Sequence, residues 1–279
     1  MKKLKTIAFQ GKEGAYSDLA CRAAFPKLKT VPCASFAEVF EAVHKSRADL
    51  AMIPIDNSIA GRVADIHYLL PKYDLYFAGE HFLPVRHCLL GVEGAKVADI
   101  KKVYSHVHAL PQCRKLIKKM GWEPVVFGDT AGAAQKVANM NDKSCAAIAS
   151  ALAAEIYGLK VLQEDIADEQ NNITRFLALS RKPIKPRFVK NRAYVTSFIF
   201  SVRNIPAALY KALGGFATNG VNMLKLESYM TGGKFYSTLF YCEVEGHGDD
   251  PRLKRAVEEL KFFAEGIRIL GTYPASPGR

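Results

Sequence analysis

A chain of 279 residues, 49% of them hydrophobic, is long enough for two ordinary domains and apolar enough to bury a core, which excludes an intrinsically disordered class. The longest apolar stretch, Cys145 to Leu159, is broken by Glu155 and is too short to span a bilayer, so no membrane partner is expected. The net charge of +12 raises nucleic acid as a partner, but six of the cations (Arg181, Lys182, Lys185, Arg187, Lys190 and Arg192) fall in one acid-free segment with Pro183 and Pro186. With no aromatic residues expected to interleave as stacking platforms, that segment reads as a solvated linker, and the remaining charge suits steering of anionic substrates.

No apolar core follows the charged Met1–Lys5 stretch, so no signal peptide is read and a cytoplasmic location is expected. Cys21, Cys33, Cys88, Cys113, Cys145 and Cys242 contain no CxxC pair, which predicts reduced, buried thiols and no metal site.

In chain order, residues 4–9 predict a short strand, and Gln10-Gly11-Lys12-Glu13-Gly14 a turn into a helix beginning at Ala15. GxGxxG is absent, so this is not read as a dinucleotide fingerprint. A strand over 28–33 leads to Ser35-Phe36-Ala37-Glu38, a capping box opening a helix to Ser46. Residues 50–55 form a buried strand that the chain leaves through Asp56-Asn57-Ser58-Ile59-Ala60-Gly61. Strand–helix alternation predicts a mostly parallel sheet covered on both faces, with ligands at the carboxyl ends of its strands. Asp56 or Asn57 could simply cap a helix, but the whole Asp-Asn-Ser run exceeds what a cap requires.

Residues 73–82 and 85–91 read as connecting strands around Pro84, carrying the chain into a second lobe. There, strands over 102–104, 124–127 and 146–149 alternate with helices, and Ser105, His106, Asp129 and Thr130 fall just past strand ends, where helix N-termini suit carboxylates. A strand over 159–164 and a loop then deliver Asn171-Asn172-Ile173-Thr174-Arg175-Phe176. Two amides, a hydroxyl, a guanidinium and a ring at a strand mouth suit a small anionic ring compound. Equally, the stretch can be a loop entering a core strand with Arg175 in a salt bridge. A chain that starts one lobe, builds a second and returns makes a two-lobed domain with a cleft.

Beyond the basic segment the pattern changes. A strand over 195–202, a helix opened by Pro206, strands over 221–229 and 235–245 joined at Thr231-Gly232-Gly233-Lys234, a helix over 250–264 and a strand over 267–273 follow. The order βαββαβ is ferredoxin-like.

Four motifs in register resemble the prephenate dehydratase family with its C-terminal ACT regulatory domain. Pro54-Ile55-Asp56-Asn57-Ser58 is similar to the family's Pro-Ile-Glu-Asn-Ser. Ser105-His106 with Ala109-Leu110 and Gln112-Cys113 resembles Ser-His-Pro-Gln-Ala-Leu-x-Gln-Cys, with Val107 and His108 as departures. Asp129-Thr130-Ala131 matches Asp-Thr-Ala, and Asn172-Ile173-Thr174-Arg175-Phe176 matches Asn-x-Thr-Arg-Phe.

The resemblance implies an α/β fold with a two-lobed, periplasmic-binding-protein-like catalytic domain over residues 1–182 and an ACT domain over 194–274. It implies cofactor-free decarboxylation and dehydration of prephenate to phenylpyruvate in phenylalanine biosynthesis, with arogenate as the alternative substrate. Thr174, Asn57 and Gln112 are implied as catalytic, Thr174 donating to the departing hydroxyl. Asp56, Ser58, Gly61, Ser105, His106, Thr130, Ala131, Arg175 and Phe176 are implied around the substrate, with Arg175 either holding the substrate's carboxylate or bracing its strand and Asp56 orienting neighbouring donors. L-Phenylalanine is implied as an allosteric inhibitor, held at an interface between ACT domains by Ala207, Ala208, Leu209, Asn222, Met223, Leu224, Glu227 and Ser228. A homodimer or homotetramer follows. Ala207 stands where the family has Gly, and Tyr229-Met230 where it has Arg-Pro. Two other classes compete with the enzyme: a catalytically idle ligand-capturing protein and a nucleic-acid-binding protein.

Overall fold

The structure is a computed structural model that describes residues 4–230 and 238–279. The expected hairpin at 231–234 lies outside the described residues. The chain divides into two compact units, one comprising residues up to Val63 together with His81–Phe176, the other comprising Ala64–Glu80 and Leu177–Arg279.

The chain opens with β1 (Thr6–Gln10), α1 (Tyr16–Ala24), β2 (Lys29–Cys33), α2 (Phe36–His44), β3 (Leu50–Asn57) and β4 (Gly61–Arg62). The capping box is present: Ser35 Oγ accepts from the Glu38 N–H at 3.2 Å, and the Glu38 carboxylate accepts from the Ala34 N–H at 2.8 Å. Next come α3 (Ala64–Leu69), β5 (Tyr76–Pro84), β6 (Cys88–Gly91), β7 (Lys102–His106), α4 (Arg114–Met120), β8 (Glu123–Phe127), α5 (Thr130–Met140), β9 (Cys145–Ala149), α6 (Ala151–Tyr157), β10 (Lys160–Gln163) and β11 (Ile173–Ser180). Strand order in the first sheet is β2-β1-β3-β11-β5, with β4 paired to β3, and in the second β10-β6-β9-β7-β8.

β1 runs parallel to β2 and β3, and β7 parallel to β8 and β9, as the alternating pattern predicts. The second sheet is mixed, however, because β6 pairs antiparallel with both β9 and β10. Two further differences matter for the site. β3 extends through Asn57 because Asp56 and Asn57 pair antiparallel with Arg62 and Gly61. β7 includes Ser105 and His106, which pair with Val126 and Phe127. Asp56, Asn57, Ser105 and His106, expected past strand ends, are therefore held in register within strand pairs.

Within this unit the two lobes meet at the glycine turn. Gly14 has φ +87°, and a Cβ there would lie 2.9 Å from the Cα of Ala153 in α6. Ser150 Oγ donates to the Gly14 carbonyl at 2.6 Å, and the Tyr157 hydroxyl donates to the Glu13 carbonyl at 2.9 Å. The turn that reads as a weak nucleotide motif is a lobe-to-lobe contact that only glycine can make.

In the second unit, β12 (Tyr194–Val202), α7 (Ala208–Thr218), β13 (Met223–Met230), β14 (Thr238–Glu245), α8 (Pro251–Phe263) and β15 (Ala264–Pro274) form the βαββαβ order, with strand order β13-β14-β12-β15. Phe198, Phe200, Phe216 and Leu260 anchor the core between sheet and helices. The basic segment is exposed along nearly its whole length, as a solvated linker requires. Phe188 does stand among the cations, contrary to the expectation that no aromatic residue interleaves; its half-exposed ring packs against Tyr194 and His247, and the Tyr194 hydroxyl donates to the Arg187 carbonyl at 2.8 Å.

Segment 64–80 belongs to this unit through specific contacts. Buried His67 of α3 lies against the rings of Tyr229 and Tyr241. The Arg268 guanidinium donates to the carbonyls of Tyr73 and Leu75 at 2.6 and 3.1 Å. Arg279 donates to Glu80 at 2.9 Å and to Glu243 at 3.0 Å, two fully desolvated carboxylates that need a shared cation. β15 comes so close to β5 that a Cβ on Gly271 would lie 2.3 Å from the Phe77 carbonyl oxygen. Gly271→Ala should therefore destabilise the chain by about 1–3 kcal/mol or more, read as a fall in the thermal unfolding midpoint; an unchanged midpoint would contradict this close approach.

Candidate active site

Asn57 ends β3, and Thr174 is the second residue of β11, so the sheet order β3-β11 makes them neighbours. Asn57 Oδ1 accepts from the backbone N–H groups of Ile59 and Ala60 at 3.0 and 2.7 Å. This fixes which end of the amide is nitrogen. Its Nδ2 then donates to Asn172 Oδ1 at 2.6 Å and to Thr174 Oγ at 3.0 Å.

Asn172 in turn donates from Nδ2 to Gln112 Oε1 at 2.6 Å. Gln112 sits in a short 3-10 turn, Leu110–Cys113, which follows β7 in the second lobe. The three residues expected to be catalytic are therefore joined through Asn172, which the motif contained but whose connecting role sequence reading missed. Among the described residues, neither the Thr174 hydroxyl proton nor the Gln112 NH2 is used in a protein hydrogen bond, so both are available as donors.

Arg175 is buried, with Nη1 at 3.7 Å from Asp56 and its guanidinium 5.9 Å from the Phe82 ring centroid. Of the two roles foreseen for Arg175, this contact fits bracing of the strand, since the carboxylate beside it is the protein's own Asp56. Gly61, at φ +79°, makes the β3–β4 turn.

His106 ends β7 beside His108, ring centroids 5.2 Å apart. Burial first, then the His108 charge, holds the His106 imidazole below its ordinary range, with Asp129 opposing. Asp129 caps α5 by accepting from the Gly132 N–H at 2.7 Å, which places Thr130 at the first helical position.

Four expected substrate neighbours are committed elsewhere. Ser105 is fully buried, its hydroxyl donating to the Ile148 carbonyl at 2.6 Å, because β7 and β9 pack side by side. Ser58 Oγ donates to the Asn171 carbonyl and accepts from the Ile173 N–H, tying β11's entry to β3's exit. Ala131 and Phe176 point into an apolar core cluster with Phe9, Met52 and Leu83.

Two residues sequence reading missed complete the polar chain: His87 and Tyr16. His87 Nε2 lies 2.9 Å from Gln112 Oε1, and its Nδ1 lies 2.8 Å from the Tyr16 hydroxyl. The only signal was an imidazole standing at the mouth of the apolar run Cys88–Val92. Among the described residues, no group of three or more His, Cys, Asp or Glu side chains could hold a metal ion.

The residues expected at the effector site line two separate hollows of the second unit. Ala207, Ala208 and Leu209 border one of about 280 Å³, and Asn222 and Leu224 one of about 870 Å³. Met223, Glu227 and Ser228 lie along β13, Glu227 at 3.5 Å from Lys225. Ala207 has φ +60°, the left-handed backbone that explains a glycine in the resembling motif. Tyr229, in the place of the family's Arg, is spent on packing against His67.

Fold and site together define a two-lobed α/β lyase domain followed by a ferredoxin-like domain. The chain belongs to the prephenate dehydratase family, whose sequence model matches residues 7–184. It is 51% identical over 277 residues to the bifunctional N-acyl-homoserine lactone acylase/prephenate dehydratase of Komagataeibacter europaeus, covering 99% of this chain and 98% of that protein. It is 41% identical to arogenate dehydratase/prephenate dehydratase 2, chloroplastic, of Arabidopsis thaliana, covering 96% of this chain and 72% of that one. The crystal structure of prephenate dehydratase in complex with L-Phe from Arthrobacter aurescens superposes with a TM-score of 0.88 at 29% identity, covering 97% of this chain and 92% of that one.

Proposed function

We propose that the chain converts prephenate to phenylpyruvate, with Thr174 donating to the departing ring hydroxyl. The observation that carries this reading is the Asn57–Thr174 hydrogen bond, which occupies a lone pair of Thr174 Oγ and leaves its proton free to be donated. In the reaction the bond from the ring to its carboxylate breaks and CO2 leaves. The electron pair moves through the ring and expels the hydroxyl on the opposite carbon, and aromatisation drives the step. What the protein must supply is orientation of a dianion and stabilisation of the leaving oxygen. Gln112 offers its NH2 to an oxygen of the substrate, and Arg175, partly neutralised by Asp56, supplies positive potential without a bare buried charge. Arogenate differs only at the side-chain amine, and turnover with each substrate decides the preference.

Thr174→Ala should lower kcat about 10²-fold or more with prephenate still bound, while Thr174→Ser keeps more activity. Wild-type turnover by the alanine variant would remove the proposed role.

Regulation by phenylalanine rests on the resemblance and on the likeness to a structure solved with L-Phe. Since the effector residues border two hollows in one chain, one site containing both sets would be assembled from two chains, which supports a homo-oligomer of ACT domains. Calorimetry on the intact chain should show phenylalanine binding together with inhibition. No heat at millimolar ligand, from a sample that turns over prephenate, would leave the ferredoxin-like domain as a dimerisation module.

A second activity, amide hydrolysis of N-acyl-homoserine lactones, is favoured by identity along nearly the whole length to the relative of that name. Chromatography should detect free homoserine lactone released by the same preparation that forms phenylpyruvate, and its absence would restrict the chain to the lyase reaction.

A further inference from the structure

We propose that His87 is a positioning residue for the dehydration, acting through Gln112, Asn172 and Asn57 on the hydroxyl of Thr174. The inference rests on the lyase reading above. Five side chains separate in sequence form one continuous line: Tyr16 from α1, His87 from the entry to β6, Gln112 from the 3-10 turn, Asn172 from the entry to β11 and Asn57 from the end of β3. The line ends at Thr174.

Its direction is set by Asn57. At one end, two backbone N–H groups fix Asn57 Oδ1, so the Asn57 nitrogen must face Asn172 and Thr174. Asn172 must then present oxygen to Asn57 and nitrogen to Gln112. Gln112 consequently turns its oxygen inward and its NH2 outward. That oxygen accepts from Asn172 and faces His87 Nε2 at 2.9 Å, so the imidazole must carry a proton on Nε2.

At the other end, the Tyr16 hydroxyl donates to the Arg86 carbonyl at 2.8 Å and lies 2.8 Å from His87 Nδ1. Its one proton cannot serve both acceptors, so the tautomer is set at Nε2, where Gln112 Oε1 requires a donor. Burial keeps the imidazole neutral by lowering its pKa, with the Gln112 bond acting in the opposite sense, and raises that of Tyr16 so the phenol stays protonated. If the tautomer reversed, Nε2 would present a lone pair to Gln112 Oε1. The Gln112 amide would have to turn over, withdrawing its NH2 from the cleft and setting nitrogen against nitrogen at Asn172. A single proton position on His87 therefore propagates across both lobes to the donor that meets the leaving group.

The test is a double-mutant cycle on the full chain. His87→Leu should lower kcat about tenfold to a hundredfold with little change in KM, as expected for a small misplacement of a reacting group. His87→Gln, whose amide can donate to Gln112 and accept from Tyr16, should recover most of that loss. Tyr16→Phe, which keeps the ring and removes only the polar contact at His87 Nδ1, serves where the leucine variant does not fold, and should also lower kcat. In a Thr174→Ala background, loss of His87 or Tyr16 function should cost little more, because the group they position is gone. Additive losses, or wild-type kcat in Tyr16→Phe and His87→Leu, would overturn the positioning role while leaving the lyase reading intact. Absence of any prephenate turnover by the wild-type chain would overturn both.

Discussion

The two ends of a carboxamide are chemically opposite, and the site depends on that asymmetry. Asn57 is the fixed point: two backbone N–H groups hold its oxygen, so its nitrogen has to serve Asn172 and Thr174. Each following amide inherits its orientation, since an acceptor facing an acceptor would forfeit a hydrogen bond in a partly buried place at a cost of about 1–3 kcal/mol. The backbone that supplies those two N–H groups is the β3–β4 turn, which exists because Asp56 and Asn57 extend the strand and Gly61 turns it back. Ladder hydrogen bonds thus determine the direction of a donor two residues away.

Neutral donors at a site for a dianion solve an electrostatic difficulty. A bare cation would bind the ground state strongly and would have to be desolvated when empty. Here Arg175 lies beside Asp56, and Arg86 is paired with Asp165 at 3.0 Å, so the nearby fixed charges are compensated. Oriented hydroxyl and amide dipoles then favour charge where it develops on the leaving oxygen, at no cost of reorganisation. The chain's excess of positive charge acts at longer range, raising the encounter rate with anions rather than holding them.

Much of the fold was legible because its signals are local. The capping box at Ser35, the alternation of strand and helix and the βαββαβ order each depend on neighbouring residues. The site was legible as motifs and not as roles. Asn57, Gln112 and Thr174 stand where the motifs put them, but Ser58 and Ser105 turned out to be tied to carbonyls of adjacent strands. A hydroxyl in a motif does not disclose whether its proton faces a substrate or a neighbouring strand; that depends on register, which is set by residues far away in sequence. His87 and Tyr16 were missed for the same reason. They lie 71 positions apart and become partners only through the packing of one lobe on the other. The basic segment was legible as a solvated linker, since it is exposed along nearly its whole length; the ring contacts of Phe188 with Tyr194 and His247 are what charge counting does not disclose.

Two strands bear on how an effector could reach the chemistry. β5 carries Glu80, held by Arg279 and the Ser276 N–H, and two residues later Phe82, whose ring faces the Arg175 guanidinium. β11 carries Thr174 and Arg175 at its start and Ser180 at its end, where the hydroxyl donates to the Lys182 carbonyl. A β-strand is stiff along its length because each peptide is fixed by its neighbours in the ladder. Glu80 thus stands two residues from Phe82 along β5, and Ser180 five residues from Arg175 along β11. Coupling of the order of 1–3 kcal/mol requires only that one end of such a strand have two arrangements of different effector affinity.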